Sequence, residues 1–583
     1  MGLALVVGPA HVGKVALLLE RYLDVLDRDP WLVVPNRPDI ERVERDLLRR
    51  RPALLAGRIG TFDDLFEYIV EDEVGAHGVA SEVQRAFAAR RAIATAQLDD
   101  LGSSASTRGF ADTLLAALSE IESALLDPDE LDGDLAQLVR EYRLELDRLG
   151  LRDRPGLRRA AVARLQRDLD SWHGEPVFAY GFEDLTAAEW ALLEALAGRA
   201  DVTVSIPYEP GRAAFAALER TVGDLAGLAA GAIEELPRPF GREAPASLLH
   251  LEKELFSDAA ASGPRLDGAL RFLEGAGARG TSELLASELV ASLRAGTSPD
   301  HVAVICSSPE RWRAPLGTAF DELGIPYTIE HPSRLGETAL GGALLALLRF
   351  AWLGGGRGDL FAFLRSPYSG LERRSVDFVE GRLRGRAISE ATRVEEEAER
   401  LRGAPVPALV ELRGAGADQP VTGARALLAT MMRNAWGVSS PPVSDDARAD
   451  AQANRAAERV LDDLVPFIER DGPPLSHEDV VAALERATVR PPASGDSGRV
   501  SVLDYERART RTFDVVFLLG LEEGAFPRRA RPSPLLDDDA RRALGGRLER
   551  TDSVARDRYL FYTACTRARR RLVLVREAAT DEG

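Results

Sequence analysis

Apolar residues along this chain fall into short unbroken runs set between helical stretches and glycine- or proline-marked turns. Residues 3–7 (LALVV) form the first run, as expected of a strand buried on both faces of a parallel sheet. A glycine-containing loop follows, then an apolar helix over residues 15–26. Residues 31–34 (WLVV) make a second run, closed by Pro35 and Asn36 and followed by a polar helix over 39–51. Strand, loop, helix, strand, helix predicts the opening of a nucleotide-binding α/β domain.

Residues 81–170 carry an almost wholly helical pattern dominated by Ala, Leu, Arg and Glu. Strand-like runs return at 176–180 (PVFAY) and 202–206 (VTVSI), so the first sheet is interrupted and then resumed. A second α/β unit begins near Ala269, with a strand at 301–305 and a helix over 312–323. Residues 358–492 are again mostly helical, broken at Pro441-Pro442 and Pro473-Pro474. A linker at 491–495 (PPASG) returns the chain to strands at 500–503, 515–519 and 571–575.

The predicted fold class is therefore α/β, with two parallel-sheet domains each interrupted by a helical insertion. The first domain takes residues 1–75 and 171–265, with 76–170 inserted. The second takes 266–355 and 496–583, with 356–495 inserted.

Composition narrows the function classes. The chain has 583 residues, 45% hydrophobic and 29% charged, as in an ordinary globular protein. No stretch approaches the roughly 18 unbroken apolar residues of a membrane helix, so no membrane partner is expected. Two cysteines, Cys306 and Cys565, stand far apart with no CxxC or Cys/His cluster. This spacing argues against a disulfide framework, a zinc site or an iron–sulfur cluster, and fits a reducing cytoplasm.

The net charge of −19 excludes simple coating of nucleic acid, yet residues 499–583 carry 18 arginines against 14 acids. Only two of the 74 basic residues are lysines, Lys14 and Lys253.

One of those lysines sits in Gly8, Pro9, Ala10, His11, Val12, Gly13, Lys14 and Val15, which fit GxxxxGK between a strand and a helix. In such a loop backbone N–H groups surround phosphate oxygens and the lysine adds a compact charge. ATP is the expected ligand. Val15 stands where Ser or Thr would hold Mg²⁺, so the metal half of the site is compromised.

Other segments carry a family resemblance. Gly60-Thr61-Phe62-Asp63 resembles the GTFH-type motif of UvrD-like superfamily 1 DNA helicases, and Val33-Val34-Pro35-Asn36-Arg37 their preceding DNA-contacting loop. The run from Phe513 to Pro527 (FDVVFLLGLEEGAFP) is similar to the family's VVF-x-x-GLEEG-x-FP signature. Residues 558–568 (RYLFYTACTRA) and Gly324-Ile325-Pro326-Tyr327 match two further motifs. The resemblance implies two RecA-like domains with ATP in the cleft between them and single-stranded DNA across their top. It also implies an arginine finger at Arg567 and DNA-facing positions at Arg37, Phe62, Tyr505, Arg507, Arg509 and Arg511. For Phe62 and Tyr505 a core role is the competing expectation.

Departures from the family pattern matter as much. Tyr180 and Gly181 stand where motors of this family carry the Asp-Glu pair that holds Mg²⁺ and activates water. Glu183 and Asp184 could substitute only with a slipped register. The phrase Gly181-Phe182-Glu183-Asp184-Leu185-Thr186 resembles the AddB-like branch of helicase–nuclease subunits, whose usual C-terminal PD-(D/E)XK nuclease needs Asp or Glu two residues before a lysine. Val12 precedes Lys14 and Leu251 precedes Lys253 at that spacing, so the motif is absent. The chain ends at 580–583 just past the last helicase strand, as a truncated or split product would.

The resemblance thus implies a DNA-binding, largely inactivated helicase-fold subunit, with an AddA-like motor and nuclease subunit and single-stranded or duplex-end DNA as partners. An active helicase with unusual Mg-ATP ligation and a scaffold binding neither ATP nor DNA are the alternatives.

Overall fold

The computed structural model describes residues 2–74, 78–107, 109–237, 243–257, 262–386, 388, 390–414, 419–437, 444–469, 474–490, 498–528, 533–545, 548 and 552–579. The predicted linker at 491–495, the Pro441-Pro442 turn, Pro473 and residues 580–583 lie outside them.

Two six-stranded sheets form the framework. In spatial order the first contains Arg58–Gly60, Trp31–Val33, Val177–Tyr180, Asp201–Pro207, Gly2–Gly8 and Ile233–Glu235, and every neighbouring pair is parallel. The second contains Tyr327–Ile329, Val500–Leu503, Val302–Cys306, Phe513–Leu519, Ala568–Ala579 and Leu270–Ala276, again all parallel. These are the two parallel sheets that two RecA-like domains require. The central strands bury both faces, which is why they read as continuous apolar runs.

Helices occupy the long stretches between strands. Helix Glu82–Thr95 opens on a capping box of Ser81 and Gln84, and helix Ala187–Ala197 on one of Thr186 and Glu189. One helix of the stretch 76–170, Arg154–Arg167, packs with the first sheet rather than with its helical neighbours. Leu157, Ala161 and Leu165, spaced by four, form the stripe that faces Phe62, Phe66 and Ile69.

The helical stretches are joined. Residues from 80–151 and from 335–489 form a single apolar cluster, with Val83 and Leu118 on one side and Leu344 and Leu461 on the other. Leu536 and Leu548 of the second sheet's C-terminal half reach into it. Buried Arg541 fastens that contact: its Nε and Nη2 donate to Glu120 Oε2 at 2.9 and 2.8 Å.

The two sheets also share a core. One face of the first sheet (Leu5, Val204, Ile206) is continuous with one face of the second (Ile305, Leu503, Leu518), through helix Ser553–Cys565 and the turn Ala213–Leu218. Phe215 packs against Tyr559 and Tyr562 across this boundary.

Candidate functional site

The phosphate loop has the local structure its sequence dictates. Strand Gly2–Gly8 ends in a loop, and helix Lys14–Asp24 begins after Gly13, whose φ of 86° needs glycine. Gly8 is also forced, since a Cβ there would lie 2.7 Å from the Leu236 carbonyl oxygen. The Lys14 ammonium folds back and donates to the carbonyl oxygens of Gly8 and Pro9, at 2.8 and 2.5 Å. Burial and then the charge of Arg567 pull its pKa down to about 7, against the opposing pull of Glu209 and Glu252.

His11 reaches out of this loop to the second domain, with Nε2 2.5 Å from the Thr566 carbonyl oxygen. Arg567 therefore stands near the loop, but its guanidinium is tied to its own domain. Nε donates to Thr563 O at 2.9 Å, Nη1 to Arg509 O at 2.8 Å and Nη2 to Thr566 Oγ1 at 3.0 Å.

At the positions of the metal and water carboxylates the structure puts other chemistry. Tyr180 is 1% exposed, packed in the core beside Arg42 and Asp39, with its phenol pKa raised by burial. Gly181, at φ 84°, is pressed between domains: a Cβ would lie 2.6 Å from Pro35 Cγ and 3.1 Å from Thr510 Cγ2. Glu183 pairs with Arg509 at 2.7 Å and Arg556 at 3.4 Å, and Arg556 with Glu506 at 2.8 Å. Asp184 accepts from the Thr221 hydroxyl at 3.0 Å.

The residues thus fit a phosphate better than a metal. The loop and Lys14 can meet phosphate oxygens, whereas Val15, Tyr180 and Gly181 offer Mg²⁺ no side-chain carboxylate or aliphatic hydroxyl. Among the described residues no group of three or more His, Cys, Asp or Glu could hold a metal ion.

The candidate DNA-facing residues divide. Arg37 is 68% exposed and pairs with Asp64 at 3.2 Å. Phe62 is buried against Phe182, ring centres 4.7 Å apart, and Tyr505 is buried in a parallel stack on Phe526 at 4.3 Å. Both stand as core aromatics, the competing expectation. Arg507 pairs with Asp504 at 3.5 Å, and Arg511 makes a two-toothed pair with Glu330, both bonds 2.6 Å. With Arg509 on Glu183 and Thr510 Oγ1 donating to buried Asp39 at 2.7 Å, residues 507–511 serve largely as a seam between domains. Sequence reasoning missed Glu183, Arg556 and Asp39 as partners in that seam. Each is a lone charge in a helical or loop context, and nothing local announces its mate.

A cavity of about 900 Å³ lies over the seam, between Thr61 and Phe62, Glu183 and Arg509, and Arg528 and Asp557. Carboxylates outnumber arginines around it seven to four.

No family model matches the chain. Among curated proteins it is 23% identical, over 598 residues, to the AddB-type subunit of the ATP-dependent helicase/deoxyribonuclease of Desulforudis audaxviator. The chain is AddB-like. The match covers 88% of this chain and 50% of the relative, so the chain spans about half the length of the curated protein it matches.

The altered metal positions and the seam lie inside this AddB-like framework, on the faces that join its two sheets. No helix among the described residues is long and apolar enough to cross a membrane.

Proposed function

We propose that the chain is a DNA-binding, largely inactivated helicase-fold subunit of an AddAB- or RecBCD-type helicase–nuclease, acting in double-strand break repair by homologous recombination. An AddA-like subunit would supply the motor. Similarity to an AddB-type helicase/deoxyribonuclease subunit along 88% of the chain supports the assembly.

The observation that carries the inactivation is the pair Tyr180 and Gly181, one buried in the core and the other wedged against Pro35 and Thr510. ATP hydrolysis of this class needs a carboxylate for the metal and one for the attacking water. Glu183 and Asp184, the nearest substitutes, are occupied by Arg509 and Arg556 and by Thr221. ATP itself can still be held, since the loop and Lys14 retain the shape and charge for phosphates. In this reading the fold holds DNA while a partner moves it.

DNA-stimulated ATPase activity of the purified chain, with Lys14→Ala beside it, tests the reading. The expected result is no turnover in either protein, with salt-sensitive binding of single-stranded DNA in both. Turnover that disappears in Lys14→Ala would instead establish an active helicase. Absence of both turnover and DNA binding would favour a scaffold, the reading to which the net charge of −19 lends support.

A further inference from the structure

Four arginines from four separate segments converge at one corner of the molecule. Arg37 opens helix Arg37–Arg50, Arg154 opens helix Arg154–Arg167, Arg459 lies on helix Asp445–Asp463, and Arg490 follows strand Thr488–Val489. All four are exposed. Partial burial and then the positive charges of Arg37, Arg459 and Arg154 hold the Arg490 guanidinium below its ordinary range, so the four share one field.

The facing carboxylates are on helix Phe62–Val74. Asp64 accepts from Thr61 N and Oγ1, both at 2.8 Å, and from Arg37 at 3.2 Å. Asp63 is held by Arg158 at 2.7 Å and lies 3.5 Å from Arg154. Glu67 is close enough to feel Arg154 and Arg37. Among the described residues neither Arg459 nor Arg490 is in an ion pair, and Arg459 donates only to the Arg455 carbonyl oxygen at 3.2 Å. Five arginines thus face three carboxylates, on a chain whose overall charge is −19.

The ion pairs Arg37–Asp64 and Arg154–Asp63 also draw together the N-termini of three helices of 13 or 14 residues, each with the positive end of its dipole there. A cluster of like charges held by four segments costs repulsion unless an anion spans it.

We propose that Arg37, Arg154, Arg459 and Arg490 form a cradle for a phosphodiester backbone, at the junction of the first sheet with both helical stretches. The proposal rests on the DNA-binding reading and deepens it: three of the four residues lie outside the loops that family resemblance marks. The cradle grips through charge and reads no base, because only guanidinium groups and helix ends face the ligand.

The test is the triple variant Arg154→Gln, Arg459→Gln, Arg490→Gln, with the Lys triple as charge-preserving control. Binding of an oligothymidylate is titrated from 50 to 200 mM salt. Each lost phosphate contact flattens the plot of log affinity against log salt by about 0.7 for a single strand. The Gln triple should flatten it by about 2 and weaken binding at least tenfold at 50 mM, while the Lys triple keeps the slope. Wild-type binding that the Gln triple leaves unchanged overturns the cradle and spares the DNA-binding reading. Failure of the wild-type chain to bind the oligomer overturns both. Tighter binding of polyglutamate than of oligothymidylate, lost in the Gln triple, overturns the cradle in favour of an acidic protein partner.

Discussion

Replacing Gly181 by alanine should part the two domains along their seam without unfolding either sheet. The residue has φ 84°, which costs an L side chain about 1–2 kcal/mol. The new Cβ would sit 2.6 Å from Pro35 Cγ, a ring atom that cannot swing aside, and 3.1 Å from Thr510 Cγ2. Forcing a methyl group into such a packed site adds about 1–3 kcal/mol. Both neighbours are seam residues, so the cheapest relief is separation of Pro35 and Gly181 from Thr510. That movement strains the Thr510–Asp39 and Arg509–Glu183 contacts together. A total of about 2–4 kcal/mol, taken from the opening free energy of the seam, should speed local hydrogen exchange about thirtyfold to several hundredfold. Exchange of peptides spanning 504–513 and 35–40 measures it. Gly211→Ala is the control, since φ there is 71° but nothing lies within 4 Å of the added carbon. It should show only the conformational cost, confined to its own turn. Wild-type exchange at 504–513 in Gly181→Ala, or equal effects of the two variants, would refute the account of the seam.

Restoring carboxylates by Tyr180→Asp with Gly181→Glu should yield no ATPase activity, because the first would be buried in the core and the second would clash with Pro35; steady-state phosphate release checks this. Lys14, with its pKa pulled down to about 7, loses its charge as pH rises through that value, while the unfolded side chain keeps its proton to about 10.5. Unfolding takes up a proton between those values, so stability should rise with pH there, whereas phosphate affinity should fall. Lys14→Ala should flatten both trends in urea titrations and in binding of a non-hydrolysable ATP analogue. Arg541→Ala leaves Glu120 and Asp538 without their partner; because both keep some solvent contact, the cost should be about 2–3 kcal/mol, below the full range for a buried pair. Limited proteolysis should then cut residues 533–552 first, and unchanged resistance would count against that fastening.

Much of the framework was legible because buried parallel strands write themselves as apolar runs. The runs at 3–7, 177–180, 202–206, 515–519 and 571–575 are all strands of the two sheets. Edge strands were harder. Ile233–Glu235 and Leu270–Ala276 carry Glu, Arg and Gly and are largely exposed, so no period marks them. At the candidate site the loop around Lys14 and the altered residues Tyr180 and Gly181 could be found by motif alone. The fate of Arg509, Arg511 and Tyr505 could not, because their partners lie 326, 181 and 21 positions away in the chain. Charge and aromaticity alone do not reveal whether a side chain faces solvent or a distant mate.

The single apolar cluster joining residues 80–151 to 335–489 bears on how the chain acquires its structure. Helices made early cannot complete their burial until roughly 180 further residues have been synthesised, on the order of ten seconds or more at ribosomal rates. During that interval Val83, Leu118 and their neighbours are a sticky, half-finished surface. A chaperone or the nascent first sheet must shield it, and expression of either helical stretch by itself should give aggregates rather than a folded fragment.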